Sequence, residues 1–70
     1  MQTTQISNGD AARGDIVYDR IGQAWAVIIG DPRLSGLNML FPYMYIEGPD
    51  KGKVINYVCR FGEPIYKVHL

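Results

Sequence analysis

The sequence predicts an all-β domain: a small antiparallel barrel of five short strands behind a polar N-terminal arm. Three observations carry that expectation. Eight glycines and four prolines interrupt the 70-residue chain every few positions, leaving no stretch that could run as a long helix. The segments between them are filled with β-branched and aromatic residues, including five tyrosines and a tryptophan, which suit a pleated, half-buried surface. Pro42 falls inside the longest apolar run, 37–46. It cannot donate to a ladder there, so it marks an edge or a bulge that bends a small sheet over on itself.

Taken in order, residues 1–12 (with Gln2, Thr3, Thr4, Gln5, Ser7, Asn8 and Asp10) read as a polar arm, and ordered structure is expected to begin near Asp15. Strands are predicted over 15–19, 25–29, 39–46, 53–59 and 65–69. Residues 20–23 form a short hairpin-like link, and 31–36 are the longest loop. The segment Gly48-Pro49-Asp50-Lys51-Gly52 offers a proline for an early turn position and a glycine for positive φ, so the third and fourth strands should pair antiparallel. Residues 60–64 make a corner before the last strand. The core is expected to draw on Val17, Val27, Ile29, Met44, Ile46, Ile55 and Val58, and a one-residue change of register would exchange every face.

Seven basic and seven acidic side chains cancel, which removes the bulk electrostatic drive toward DNA, RNA or an anionic membrane. The single Cys59 can form no intramolecular disulfide, consistent with a reducing compartment. The polar start lacks the basic and apolar regions of a signal peptide, and Pro42 with its polar flanks argues against a membrane span. The expected location is cytoplasmic, in a host cell, or within a virion.

Gly14-Asp15-Ile16-Val17, the strand around Trp25 to Ile29, and the closing Ile65-Tyr66-Lys67-Val68 together resemble SH3-like and KOW-like small barrels, over residues 13–70. That resemblance implies a five-stranded SH3-like barrel of the kind found in short phage-encoded accessory proteins. Val17-Tyr18-Asp19, Pro64 and Tyr66 are also similar to segments of peptide-binding SH3 domains. Those domains, however, place a long acidic loop before a tryptophan pair, whereas Trp25 stands alone seven positions after Tyr18. Proline-motif binding is therefore not carried over.

No constellation of residues points to catalysis. His69 and Cys59 are each the only residue of their type, and the carboxylates Asp15, Asp19, Asp31, Asp50, Glu47 and Glu63 mostly adjoin glycine or proline, where they serve turns. No phosphate loop, dinucleotide fingerprint, zinc motif or nucleophile elbow is present. No cofactor and no metal are expected.

Binding is the better-supported role. The strand segments are apolar on both faces, more than a domain this small is expected to hide. Trp25, Tyr43 and Tyr45, with Arg33 and Leu34 from the neighbouring loop, are the expected protein-binding residues, because tyrosine and tryptophan give large contact area with few rotors. The alternative is an RNA- or DNA-binding barrel using Lys53, Tyr57, Arg60, Phe61 and Lys67, with aromatics stacking on bases and cations tracking phosphates. The expectation is a non-catalytic interaction or structural accessory module, either a virion component or a host-factor-binding protein, whose partner is another protein or its own copies.

Overall fold

A computed structural model describes residues 2–69. Seven strands make one wholly antiparallel sheet: β1 (Gln2–Ser7), β2 (Ile16–Asp19), β3 (Ala24–Ile28), β4 (Arg33–Ser35), β5 (Asn38–Tyr45), β6 (Val54–Arg60) and β7 (Pro64–His69). A single 3₁₀ turn, Asn8–Asp10, follows β1. The strands lie in the order β1-β7-β2-β3-β5-β4, with β6 on the other side of β5. The sheet curls strongly into a half-barrel.

All five expected strands are present, within one residue of their expected ends. The expected count of five is corrected to seven. The presumed arm is mostly strand β1, paired along β7 from Gln2 opposite His69 to Ser7 opposite Pro64, so order begins well before Asp15. Residues 31–36, expected as loop, contain β4, which pairs Arg33, Leu34 and Ser35 with Leu40, Met39 and Asn38. Both additions are exposed and polar over most of their length. Backbone pairing, and not burial, holds them.

Pro42 lies within β5, the chain's longest strand. On one side β5 runs along β6 throughout, while on the other it passes from β4 (residues 38–40) to β3 (residues 43–45). Pro42 sits at that handover, without an N–H to give on the side facing Ile29, while its carbonyl accepts from the Ile29 amide at 3.0 Å. The turn after β5 forms as expected, with Gly52 at φ +90° and its amide donating to the Tyr45 carbonyl at 2.8 Å.

The core sits on the inner face of the curl. It comprises Val17, Ala24, Ala26, Ile28, Met39, Phe41, Tyr43, Tyr45, Cys59 and Ile65, with Ile6, Ile55 and Tyr57 packed against it. This reverses the expected face on β3 and β5 and removes Val58 from the core on β6. Val17 and Ile55 belong to the core, but Val27, Met44 and Ile46 are half-exposed, and Ile29 and Val58 are exposed. The inner face instead takes Tyr43 and Tyr45, opposite Ile28 and Ala26 of β3, and the small Ala26 leaves room beside Tyr45 for its ring. Phe41, Tyr43, Tyr45 and Tyr57 stack in tilted and edge-on pairs with centroids 5.3 to 6.3 Å apart. Gly22 is required by the same packing: a Cβ there would lie 2.7 Å from the Tyr45 hydroxyl.

Candidate interaction surface

On β3 and β5 every second residue is buried and its neighbours are not, so the outer face can be read from the register. Ile16, Val27, Met44 and Val54 stand opposite one another across β2, β3, β5 and β6. A second row runs Tyr66, Tyr18, Trp25 across β7, β2 and β3. Residues directly opposite on one face touch. The result is an uncharged band across four strands, partly buried along its length, with Val54 52% exposed at its margin. Beside it Arg33, Leu40 and Val58 form a third row. There a groove of about 420 Å³ is lined by Gly30, Asp31, Arg33, Leu40, Phe41, Pro42 and Asn56.

The expected protein-binding residues are therefore split. Trp25 and Arg33 lie on the outer face, and Leu34 is exposed on β4. Tyr43 and Tyr45 are not surface residues: they are 4% and 6% exposed and face inward. Their place in the outer band is taken by Val27, Met44 and Tyr18, which sequence reasoning passed over. The available signal was the pair of alanines flanking Trp25, which marks the inner side of β3 by its small size and the outer side by contrast.

Comparison with family models, curated proteins and solved structures gives no match for the chain.

A smaller cleft, of about 80 Å³, is lined by residues of β2, β5, β6 and β7 and of the link after β2, among them Tyr18, Asp19, Arg20, Ile21, Tyr57, Pro64 and Tyr66. Asp19 organises its floor. The hydroxyls of Tyr43 (2.9 Å) and Tyr45 both donate to Asp19 Oδ2, and the Ile21 amide donates to Oδ1 at 3.0 Å. Burial alone would raise this carboxyl, but the bonds from Tyr45, the Gly22 amide, Tyr43 and the Ile21 amide outweigh it and hold it below the ordinary carboxylate range. Tyr43 is pushed above the usual phenol range by burial and by the Asp19 carboxylate, and Tyr45 chiefly by its bond to Asp19. At the rim, Arg20 donates to the Tyr66 hydroxyl at 3.0 Å and lies 5.1 Å from the centre of that ring.

This cluster contributes to the pH dependence of stability. A carboxyl whose folded pKa is depressed stabilises the fold above its unfolded value, near 3.8, and that contribution is lost as pH falls through the folded pKa. The two phenols act in the opposite sense, stabilising below about pH 10 and losing their contribution as pH climbs further. Urea midpoints should therefore fall as the pH drops below about 4. In Asp19→Asn the acid limb should be shallower, and an unchanged acid limb would remove Asp19 from the account.

The remaining candidates are dispersed. Cys59 is buried; burial raises its thiol, partly offset by Asn8 Nδ2 donating to Sγ at 2.9 Å. His69 Nε2 meets Thr4 Oγ1 at 2.8 Å across the β1–β7 pair. Of the nucleic-acid set, Tyr57 is packed into the aromatic core and Lys67 pairs with Asp15 at 3.3 Å. Lys53 and Arg60 bracket β6 and point to opposite faces, about 23 Å apart along an extended strand. Phe61 is 53% exposed in the turn after β6. These residues do not gather on one face. No group of acidic, histidine and cysteine side chains is arranged to hold a metal among the described residues.

Proposed function

We propose that the chain is a non-catalytic protein-interaction or structural accessory module that engages another protein through the outer face of its sheet. The uncharged band of Ile16, Val27, Met44 and Val54, with Tyr66, Tyr18 and Trp25 beside it, carries this reading. A water-facing side of an antiparallel sheet ordinarily alternates to polar residues. Here both sides of β3 and β5 are apolar, and the core uses only one. The aromatic members are of the types that dominate interface energetics, while a net charge of zero leaves little for long-range steering. A virion component or a host-factor-binding protein is the setting that the SH3-like resemblance of the sequence supports.

The test is capture by the tagged protein from its native cells after nuclease treatment, followed by affinity measurement with the captured protein. Trp25→Ala is expected to weaken binding by about 2 kcal/mol or more, roughly thirtyfold, with Val27→Ser close behind. Lys51→Ala should change it by less than about 1 kcal/mol. Loss of the partner on nuclease treatment, together with a steep fall of affinity with salt, would instead favour a nucleic-acid ligand.

A further inference from the structure

The strongest feature outside this surface is the free edge of β6. In an antiparallel strand the N–H and C=O of one residue point to the same side, and successive residues alternate. The Pro42 carbonyl is turned toward the β3 side, and the Tyr45 amide and carbonyl bond to the Lys53 carbonyl and the Gly52 amide. Odd-numbered residues of β5 therefore face β6. Through the register Phe41 opposite Tyr57 and Tyr43 opposite Ile55, the backbones of Ile55, Tyr57 and Cys59 are satisfied by β5, while those of Val54, Asn56, Val58 and Arg60 point outward.

Arg60 is occupied, its carbonyl accepting from Asn8 Nδ2 at 2.7 Å and from the Glu63 amide at 3.1 Å. No strand pairs with the outer edge among the described residues, and Val54 and Val58 are 52% and 55% exposed. Three consecutive outward residues, Val54, Asn56 and Val58, thus offer three donors and three acceptors. None is a proline or a charged residue of the kind that normally blunts an edge.

We infer that β6 pairs antiparallel with β6 of a second copy about a twofold axis through Asn56, joining two half-barrels into one continuous sheet. The free backbone groups fix the register, because only centring on Asn56 pairs all three outward residues. Asn56 then meets its own counterpart, and Val54 meets Val58 in both directions, giving six hydrogen bonds. The charges are compatible as well. Arg60 falls opposite Gly52 and Lys53 opposite Cys59, and Lys53 and Arg60 project to different faces, so no like charges oppose each other. An isologous contact of this type closes at two subunits. It stands independently of the outer-face reading.

Sedimentation of the whole chain from micromolar to millimolar concentration should show a monomer–dimer equilibrium. Asn56→Pro keeps the β5 ladder, because the lost N–H faces outward, and should weaken dimerisation about tenfold or more. Asn56→Cys should give a disulfide-linked dimer under mild oxidation, since directly opposed hydrogen-bonded residues have Cα atoms about 5.5 Å apart, within disulfide reach. Gln5→Cys, on the edge at the other end of the sheet, should give none. A monomer at millimolar concentration would overturn the pairing. So would species growing beyond the dimer, or equal cross-linking at both cysteine positions.

Discussion

Tyr43→Ala is expected to destabilise the fold by about 3–5 kcal/mol, whereas Met44→Ala, one residue away, should cost less than about 1.5 kcal/mol. Truncation of a buried aromatic residue typically costs about 3–5 kcal/mol. A 70-residue domain holds about 3.5–10 kcal/mol of stability in all. Tyr43 is 4% exposed, opposite the buried Ile28 and packed on Phe41, Tyr45 and Tyr57. Tyr43→Phe separates ring from hydroxyl. It keeps the packing but removes one bond to a carboxylate, a loss of about 1.5–3 kcal/mol. Urea unfolding followed by Trp25 fluorescence gives all three values. Should Met44→Ala prove the more damaging, the faces of β5 would have to be exchanged.

Asn8→Ala should be nearly as severe, although it removes only a short polar side chain. Asn8 is fully buried, and its amide group bridges segments more than fifty residues away. Nδ2 donates to the Arg60 carbonyl at 2.7 Å and to Cys59 Sγ, Oδ1 accepts from the Gly62 amide at 2.8 Å, and the Asn8 backbone amide donates to the Glu63 carbonyl at 2.9 Å. The side chain thus locks the end of β1 onto the β6–β7 turn. Its removal leaves the part-buried Gly62 amide without its acceptor and the Arg60 carbonyl without one of its donors, at about 1–3 kcal/mol in all, in addition to the cavity left in place of the buried side chain. A total near 3 kcal/mol is expected, with the Gly62 amide exchanging with solvent far faster than in the wild type. Asn8→Asp should not rescue, because it keeps the acceptor and discards the donor that Arg60 needs. Unchanged protection of Gly62 in Asn8→Ala would show that the turn holds without the clamp.

The parts of this fold that were legible in the sequence are those in which burial and pairing coincide. β2, β3, β5, β6 and β7 each carry apolar residues between turn signals, and the Pro49–Gly52 turn has chemistry of its own. β1 and β4 were illegible for the opposite reason. Gln2 to Gln5 bury nothing, and Arg33, Leu34 and Ser35 are all exposed, so only backbone bonds make them strands, and those leave no mark on side-chain pattern.

The candidate surface fared similarly. An excess of apolar strand surface could be recognised from composition, but on β5 both alternating rows are apolar, and periodicity alone cannot choose between Tyr43 with Tyr45 and Met44 with Ile46. What settles the choice lies on other strands: the carboxylate of Asp19, which needs donors, and the small side chains of Ala24 and Ala26, which need large neighbours. A pattern read along one strand does not contain that information.

The pairing of Gln2 with His69 also imposes an order on biosynthesis. β1 is synthesised before every other strand described, yet the strand it pairs with among the described residues, β7, is synthesised after all of them. At 5–20 residues per second, the intervening chain takes roughly 3–12 s to appear, and throughout that time β1 has no strand to bind. A conventional amphipathic strand kept waiting so long would invite pairing with neighbouring nascent chains. The glutamines and threonines of Gln2 to Gln5 hide no sticky face, so the polarity that disguises this strand in the sequence also lets it wait in water until its partner arrives.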